Sequence, residues 1–200
     1  DVCSSDLLWK NSILPFLKKG ESFVLALNDK VVYPGHGVAL VSKILERSVA
    51  GNVSKFYELR FLTKEMTILV PANNCDSIGI RMLVSTEVVE EVLTLLMDPP
   101  RKIHPYELNA SSWNKRNKSY QSELRTGDLK KIASIYRDIQ HISIHKELSF
   151  GERNLLSQTE QLVSQEIALV TGRRPEEVVF QVRAIFTAPA TGVNISIATL

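Results

Sequence analysis

The residues best suited to contact a polyanion are concentrated in one short segment, SWNKRNKSY, from Ser112 to Tyr120. Trp113 is followed within five residues by three positive charges, on Lys115, Arg116 and Lys118. Lysine and arginine neutralise phosphates, and a large planar side chain at the start of a helix can stack on or wedge against an exposed base. Trp113 also shares a helical face with Tyr120 and Leu124, so anchoring a core is an equal alternative.

Groups capable of catalysis or metal binding are sparse. His36 lies between two glycines, and His141 and His145 are four residues apart on a predicted helix, but neither arrangement has the further ligands or carboxylates of a known site. The two cysteines, Cys3 and Cys75, cannot form a disulfide scaffold or a four-thiolate zinc site. No phosphate loop, dinucleotide fingerprint or nucleophile elbow is present. We therefore expect no enzyme, no metal and no cofactor, with a histidine-centred enzyme as a minor alternative.

The charge of the chain is unevenly distributed. In total, 24 basic and 22 acidic side chains leave a formal net charge of +2 over 200 residues. Residues 101–153 alone carry 11 basic and 6 acidic side chains. This basic segment favours an anionic partner, although a solvated helix face is an equally ordinary explanation. No apolar run reaches the roughly 18 residues of a membrane span, and the cysteine usage favours a cytoplasmic protein.

The first half of the chain has the pattern of a small β structure. Short runs of β-formers occur at residues 30–33, 38–46, 56–62 and 66–71, and the cluster Pro34-Gly35-His36-Gly37 predicts a turn between the first two. No helical crossover separates them. The pattern therefore predicts a small, antiparallel, barrel-like sheet.

The second half changes to a helical period. A helix that opens at Ser85 ends at Asp98-Pro99-Pro100, and residues 98–110 are predicted to be a hinge. The later start and stop signals are Ser111 and Ser112 capping a helix to about Arg125, Gly127 as a stop, Asp128 as a cap, Ser149 with Glu152 as a capping box, Gly172 as a stop, and Pro175 in a last helix.

These signals predict an α+β chain in which a β module precedes a compact helical domain, expected to be a monomer. The predicted divisions are an extension outside the fold at 1–21, the β module at 22–84, a helix and hinge at 85–110, the helical domain at 111–186, and a tail at 187–200.

Two sets of motifs in this order resemble the CarD/CdnL family of bacterial transcription regulators. Those similar to the family's polymerase-interacting module are VVYPGHGV from Val31, VPANN from Val70 and IGIR from Ile78. Those similar to its helical DNA-binding domain are WNKR from Trp113, GDL from Gly127 and LSFGER from Leu148. The resemblance covers about residues 22–172.

The resemblance implies a regulator with a Tudor-like small antiparallel β-barrel module followed by an all-α domain. It implies that the module docks on the β subunit of RNA polymerase, while the helical domain contacts promoter DNA at the upstream edge of the bubble and stabilises the open complex. Trp113 would then wedge at the minor groove. Lys115, Arg116 and Lys118 would contact the DNA backbone with little sequence preference.

The polymerase contacts implied by the resemblance are less complete. Arg47 matches a polymerase-contacting arginine of some members, and Tyr33 and Pro34 belong to the module's turn motif. Leu69 stands where those members have a second arginine, so a docking surface here is expected to rely more on apolar contacts. An adaptor that binds polymerase or another partner without touching DNA remains the alternative function.

Overall fold

The computed structural model describes residues 24–49, 52–98 and 110–187. The predicted extension at 1–21, almost all of the predicted hinge and nearly all of the predicted tail lie outside these residues. Within the described part of the chain, none of the helices is long and apolar enough to cross a membrane.

The first described body is a five-stranded antiparallel sheet with the order β4-β3-β2-β1-β5. Its strands are β1 Lys30–Tyr33, β2 Gly37–Val49, β3 Asn52–Phe61, β4 Thr67–Pro71 and β5 Arg81–Met82. The strand order leaves β4 and β5 as two edges, so the sheet is open and the predicted barrel is not confirmed. Two strands also exceed the short runs predicted, because β2 and β3 pair along a hairpin of 13 and 10 residues.

Alternation along the strands gives the sheet two different faces. The inner face carries the core of the module, which includes the buried residues Val31, Ala39, Tyr57, Leu59 and Val70. Because side chains directly opposite each other in a ladder point the same way, the register assigns the remaining positions to the other face. We call that second side the outer face.

A short helix and five longer ones follow or interrupt the strands in the described residues. They are α1 Cys75–Ile78, α2 Thr86–Met97, α3 Ala110–Leu124, α4 Leu129–His145, α5 Phe150–Thr171 and α6 Pro175–Thr187. Helices α2 to α6 enclose one apolar core, and the buried side of α2 (Val89, Val92 and Leu96) is part of it. Helix α2, predicted to belong to a separate helix-and-hinge segment at 85–110, therefore packs as one of the helical domain's elements.

Most of the predicted helix signals are confirmed. Asp128 accepts a hydrogen bond from Lys130 N at 2.9 Å, Ser149 and Glu152 form the capping box, and Gly127 and Gly172 both have φ of +67°. Such backbone angles favour glycine, because a Cβ would be strained there. Ser111 and Ser112 were predicted to cap α3 but lie inside it, because the helix begins at Ala110.

The two bodies are joined where α5 crosses the outer face beside the β1–β2 turn. Val38 N donates a hydrogen bond to Gln165 Oε1 at 3.3 Å, and Gln158 Nε2 donates to Gly35 O at 3.2 Å. Val38 and its ladder partner Val32 are buried there although they point away from the module's own core. We call this contact region the junction.

A partly buried ion pair holds the junction on its β5 side. Arg81 donates from Nη1 to Glu166 Oε1 at 2.6 Å and from Nη2 to Oε2 at 2.8 Å. Its Nε donates to Gly127 O at 2.8 Å, and Val84 N donates to Glu166 Oε1 at 3.2 Å. Two-point pairing of a guanidinium with a carboxylate fixes orientation as well as distance. The junction therefore sets how the helical domain is held against the sheet.

Candidate nucleic-acid interface

Trp113 lies in the first turn of α3 and packs its partly buried indole against the helical core. The indole crosses the start of α5 so closely that a Cβ added to Gly151 would lie 3.2 Å from both Cζ2 and Nε1. Tyr120 and Leu124, which share its helical face, are buried in the same core. Trp113 therefore packs as a core anchor would, while part of its surface remains exposed.

One residue after Gly151, the Glu152 carboxylate accepts hydrogen bonds from three parts of the helical domain. Its side chain is 1% exposed and accepts from Arg116 Nη2 of α3 at 3.0 Å and from Lys146 Nζ, after α4, at 2.9 Å to each oxygen. At the start of α5, Ser149 donates from N at 2.9 Å and from Oγ at 2.8 Å. The carboxylate thus ties α3 and the end of α4 to the first turn of α5.

Burial raises the pKa of Glu152, but hydrogen bonds from Ser149 and Lys146 and the Lys146 charge outweigh it and hold the pKa below its ordinary value. The carboxylate is therefore ionised at neutral pH. We call the group formed by Trp113, Arg116, Lys146, Ser149 and Glu152, together with Gly151, the platform.

Arg116 has a different environment from the one expected of a phosphate-binding residue. Its side chain is only 12% exposed and is engaged by Glu152. Its predicted contact with the DNA backbone stays a prediction, and forming that contact would require the guanidinium to leave or share the buried carboxylate. The sequence could not distinguish Arg116 from its neighbours, because all three cations lie in one short run.

Lys115 and Lys118 are exposed on α3. At about 100° per residue, they project from the side of the helix roughly opposite Trp113. The indole and the two lysines therefore face different directions, and a duplex could touch all three residues only by reaching both sides of α3. The tryptophan and the lysines would contact different parts of such a duplex.

Of the four residues predicted to dock on polymerase, Arg47 and Leu69 lie on the outer face of the sheet. In the ladders, Arg47 is opposite Ser54, and Leu69 is opposite Glu58. Between them, Leu45, Phe56 and Pro71 follow each other across β2, β3 and β4.

These three residues and Leu69 are partly buried. We call the set of Arg47, Leu69, Leu45, Phe56 and Pro71 the docking face. The apolar character expected from Leu69 thus extends to a whole row of side chains.

Tyr33 and Pro34 lie apart from the docking face and pack against other residues of the chain. Tyr33 packs edge-on against His36 and Phe61, with ring centroids 5.2 and 5.9 Å apart. Pro34 lies at the junction, where a Cβ on Gly127 would come within 3.1 Å of Pro34 Cγ. A docking role for these two residues stays a prediction.

The candidate metal ligands are not brought together. His36 belongs to the aromatic cluster with Tyr33, His141 is buried with its ring 5.6 Å from that of Phe186, and His145 is exposed at the end of α4. No group of three His, Cys, Asp or Glu side chains able to hold a metal occurs among the described residues. Burial, followed by the neighbouring charge of Asp76, raises the pKa of the Cys75 thiol, which disfavours a reactive thiolate.

Sequence reasoning missed the Arg81–Glu166 pair and the ionic role of Glu152. The capping box gave a local signal for the position of Glu152, but nothing local indicated Arg116 and Lys146 as its partners. Arg81 and Glu166 are 85 residues apart and belong to no shared motif, so only the folded chain relates them.

Comparisons with known proteins match both bodies of the structure. Residues 25–84 match the sequence model described as "CarD-like/TRCF RID domain", and residues 91–182 match that of "CarD, C-terminal domain". The chain is also similar to a Bacillus subtilis (strain 168) protein named "Putative transcription factor YdeB". The two are 21% identical over 146 residues, which cover 73% of this chain and 92% of that protein.

Proposed function

Because this chain belongs to the CarD/CdnL family of transcription-associated proteins, we propose that it binds the RNA polymerase β subunit and contacts promoter DNA at the upstream edge of the bubble, thereby stabilising the open complex. The observation that carries the proposal is the close packing of the Trp113 indole on Gly151. It holds one side of the indole against the fold and leaves the rest available to a ligand.

A side chain that wedges against DNA must be rigid as well as apolar. If the indole rotated freely, ordering it on the DNA would cost conformational entropy and weaken the wedge. The platform removes much of that cost in advance, since Gly151 and the helical core confine the ring while Glu152 holds α3 to α5. Trp113 therefore acts both as a core residue and as the proposed wedge.

The exposed lysines would supply the sequence-independent part of the interaction. Each phosphate that a cation neutralises releases counterions, and this release makes binding depend on salt concentration. Removing one such cation should therefore lower the slope of log affinity against log salt by about one. Lys115 and Lys118 can make such contacts without leaving a buried partner. The docking face would provide the other contact, with a partly buried apolar row and one cation, Arg47, at its far end.

The DNA contact is tested by measuring affinity for a forked promoter duplex at several salt concentrations. We expect Lys115→Gln and Lys118→Gln each to lower the salt slope by about one and to leave the free energy of unfolding within about 0.5 kcal/mol of the parent. Arg116→Gln is the matched variant, and it should lower the free energy of unfolding instead, because it leaves Glu152 with one fewer buried partner. Unchanged slopes in both lysine variants would contradict a phosphate-contacting role.

The polymerase contact is tested with a purified β-lobe fragment of bacterial RNA polymerase. We expect binding that Arg47→Glu weakens roughly tenfold or more, as expected for reversing a charge within an interface. Lys64→Glu provides the matched control, since it makes the same charge reversal at an exposed position in the β3–β4 turn, at the other end of β3. Equal effects of the two variants would show that the docking face is not used.

The role of Trp113 is tested by the lifetime of open complexes formed with polymerase. Trp113→Ala should shorten that lifetime and leave polymerase binding intact. If the chain binds polymerase but neither it nor its variants affect DNA affinity or the lifetime, the protein is an adaptor that does not contact DNA.

A further inference from the structure

Phe150 is an aromatic residue that the fold leaves almost entirely in solvent. It is the first residue of α5, and 74% of its surface is exposed. Burying a phenylalanine ring contributes to stability in proportion to the apolar area removed from water, and Phe150 contributes little in this way. An aromatic ring at this position is therefore available to a partner.

The backbone that carries Phe150 is held on both sides. On one side, Ser149 caps α5 and exchanges hydrogen bonds with Glu152. On the other side, Gly151 lies directly under the Trp113 indole. Phe150 is thus an exposed ring on a fixed base, one residue from the point where Trp113 rests.

The charges of the surrounding domain are compatible with a polyanion. Exposed Lys115 and Lys118 lie on α3, the helix that carries Trp113, and the one buried acid of the platform, Glu152, is neutralised by Arg116 and Lys146. Rigid exposed aromatic rings are the side chains that proteins use to stack on unpaired bases, because every base has an apolar face, while cations elsewhere on the surface contact the phosphates.

We propose that Phe150 is a second aromatic contact to the opened end of the DNA, placed beside Trp113 to stack on a base exposed at the edge of the bubble. This inference rests on the proposed function, and it adds a residue and a ligand chemistry to that site. Trp113 supplies the partly buried wedge, and Phe150 supplies an exposed face that needs no movement of the core. The two rings therefore contribute separately to the lifetime of the open complex.

The test compares Phe150→Ala with Phe180→Ala in the full chain. Phe180 is the matched control, because it is 76% exposed and lies on α6, and its removal takes away the same ring without disturbing the core. With polymerase and a promoter fragment, we expect Phe150→Ala to shorten the open-complex lifetime roughly tenfold, which corresponds to about 1.4 kcal/mol. We expect Phe180→Ala to match the parent and Phe150→Tyr to retain most of the lifetime.

A second measurement detects the stacking directly. A forked duplex that carries 2-aminopurine at its unpaired position should lose fluorescence when the parent chain binds, and it should lose less with Phe150→Ala. Thermal unfolding of each variant should remain at the parent's midpoint, since both rings are exposed.

The possible failures are distinguishable. If the parent prolongs open complexes and Trp113→Ala does not, but Phe150→Ala equals Phe180→Ala in both measurements, the inference about Phe150 is overturned and the proposed function stands. If the parent chain itself does not alter the lifetime or the fluorescence, the proposed function fails and this inference fails with it.

Discussion

Two buried carboxylates on α5, Glu152 and Glu166, hold two different parts of the molecule. Glu152 is 1% exposed and binds Arg116, Lys146 and Ser149, all from the helical domain. Glu166 is 3% exposed and binds Arg81 and Val84 N, which both come before α2 in the chain. The first therefore stabilises one domain internally, and the second connects that domain to the sheet.

The two carboxylates therefore have different roles: one determines the local geometry around Trp113, and the other determines where that region lies relative to the sheet. The platform determines how Trp113 is presented, whereas the junction determines where that tryptophan lies relative to the docking face. Because α5 carries both carboxylates, a single helix transmits position from the sheet to the platform. Proteins that must touch two partners at once need both conditions, since binding at two sites is productive only when the geometry allows both together.

The largest expected effect comes from breaking the platform. Glu152→Ala leaves Arg116 and Lys146 partly buried without their carboxylate, which is expected to lower the free energy of unfolding by about 3 to 5 kcal/mol. Glu147→Ala is the control, because this carboxylate is 92% exposed and pairs only loosely with Arg153 at 3.6 Å. Chemical denaturation measures both. Similar losses in the two variants would contradict the importance assigned to the platform.

Breaking the junction should have a smaller effect of a different kind. Glu166→Ala removes the two-point pair with Arg81, and because Arg81 is 26% exposed, water replaces part of the lost interaction. We expect a loss of about 2 to 3 kcal/mol and an unfolding transition that separates into two, one for the sheet and one for the helical domain.

The control for the junction is Glu91→Ala. It removes an exposed ion pair with Lys130 on the surface of the helical domain, which is expected to contribute at most about 1 kcal/mol. If Glu166→Ala unfolds in one transition at the control's midpoint, the domains are not held by this pair.

The same comparison explains which parts of the molecule the sequence could predict. The first turn of α5 was predictable, because the Ser149–Glu152 capping box is a local pattern and local patterns determine helix ends. The partners of Glu152 were not, since they depend on how α3 and α4 pack against α5. Trp113 illustrates both cases: its helical spacing indicated a core position, but only the fold reveals that Gly151 is its seat.

The open sheet shows a similar limit. Alternation and turn residues located β1 to β4, but closure into a barrel depends on whether the edge strands pair, and no sequence period encodes that pairing. The two-residue strand β5 is too short to produce a pattern. Arg81 lies on that strand, so the sequence could not indicate the junction that its side chain forms.

Acid should weaken the platform in a predictable direction. The folded state holds the pKa of Glu152 below its ordinary value of 4.5, so the folded chain binds fewer protons than the unfolded chain in that range. The stability contributed by Glu152 is therefore complete above about pH 4.5 and is lost as the pH falls through the lower, folded value. We expect Glu152→Gln to show a shallower loss of unfolding free energy between about pH 5 and 3 than the parent. A parallel decline of the two would contradict the lowered pKa.

A pair of glycines isolates the close contact at the junction. Gly127 and Gly172 both have φ of +67°, so replacing either by alanine carries the same backbone cost of roughly 1 kcal/mol. At Gly172 a Cβ would meet nothing within 4 Å, whereas at Gly127 it would lie 3.1 Å from Pro34 Cγ. We expect Gly127→Ala to be about 1 kcal/mol less stable than Gly172→Ala in chemical denaturation. Equal losses would mean that Pro34 moves aside without cost.

The substitution Gly151→Ala should change stability least, but it should clearly change the position of the Trp113 ring. Alanine gains about 1 kcal/mol in helix propensity over glycine, and this gain is offset by a Cβ that lies 3.2 Å from the Trp113 ring. Gly151→Ala should therefore unfold within about 0.5 kcal/mol of the parent while tilting the indole outward. The chain contains two tryptophans, Trp9 and Trp113, so a Trp9→Phe background makes Trp113 the only indole.

In that background, Gly151→Ala should shift the tryptophan emission towards the red, because more of the ring meets water, and should shorten the open-complex lifetime. Glu166→Ala should leave the emission unchanged, because the junction places the platform without shaping it. An emission shift in Glu166→Ala and none in Gly151→Ala would reverse the roles assigned to the two ends of α5. The contribution of a contact to stability and its importance for positioning Trp113 are therefore independent. The two carboxylates make the larger contributions to stability, whereas the missing Cβ of Gly151 determines the position of the ring.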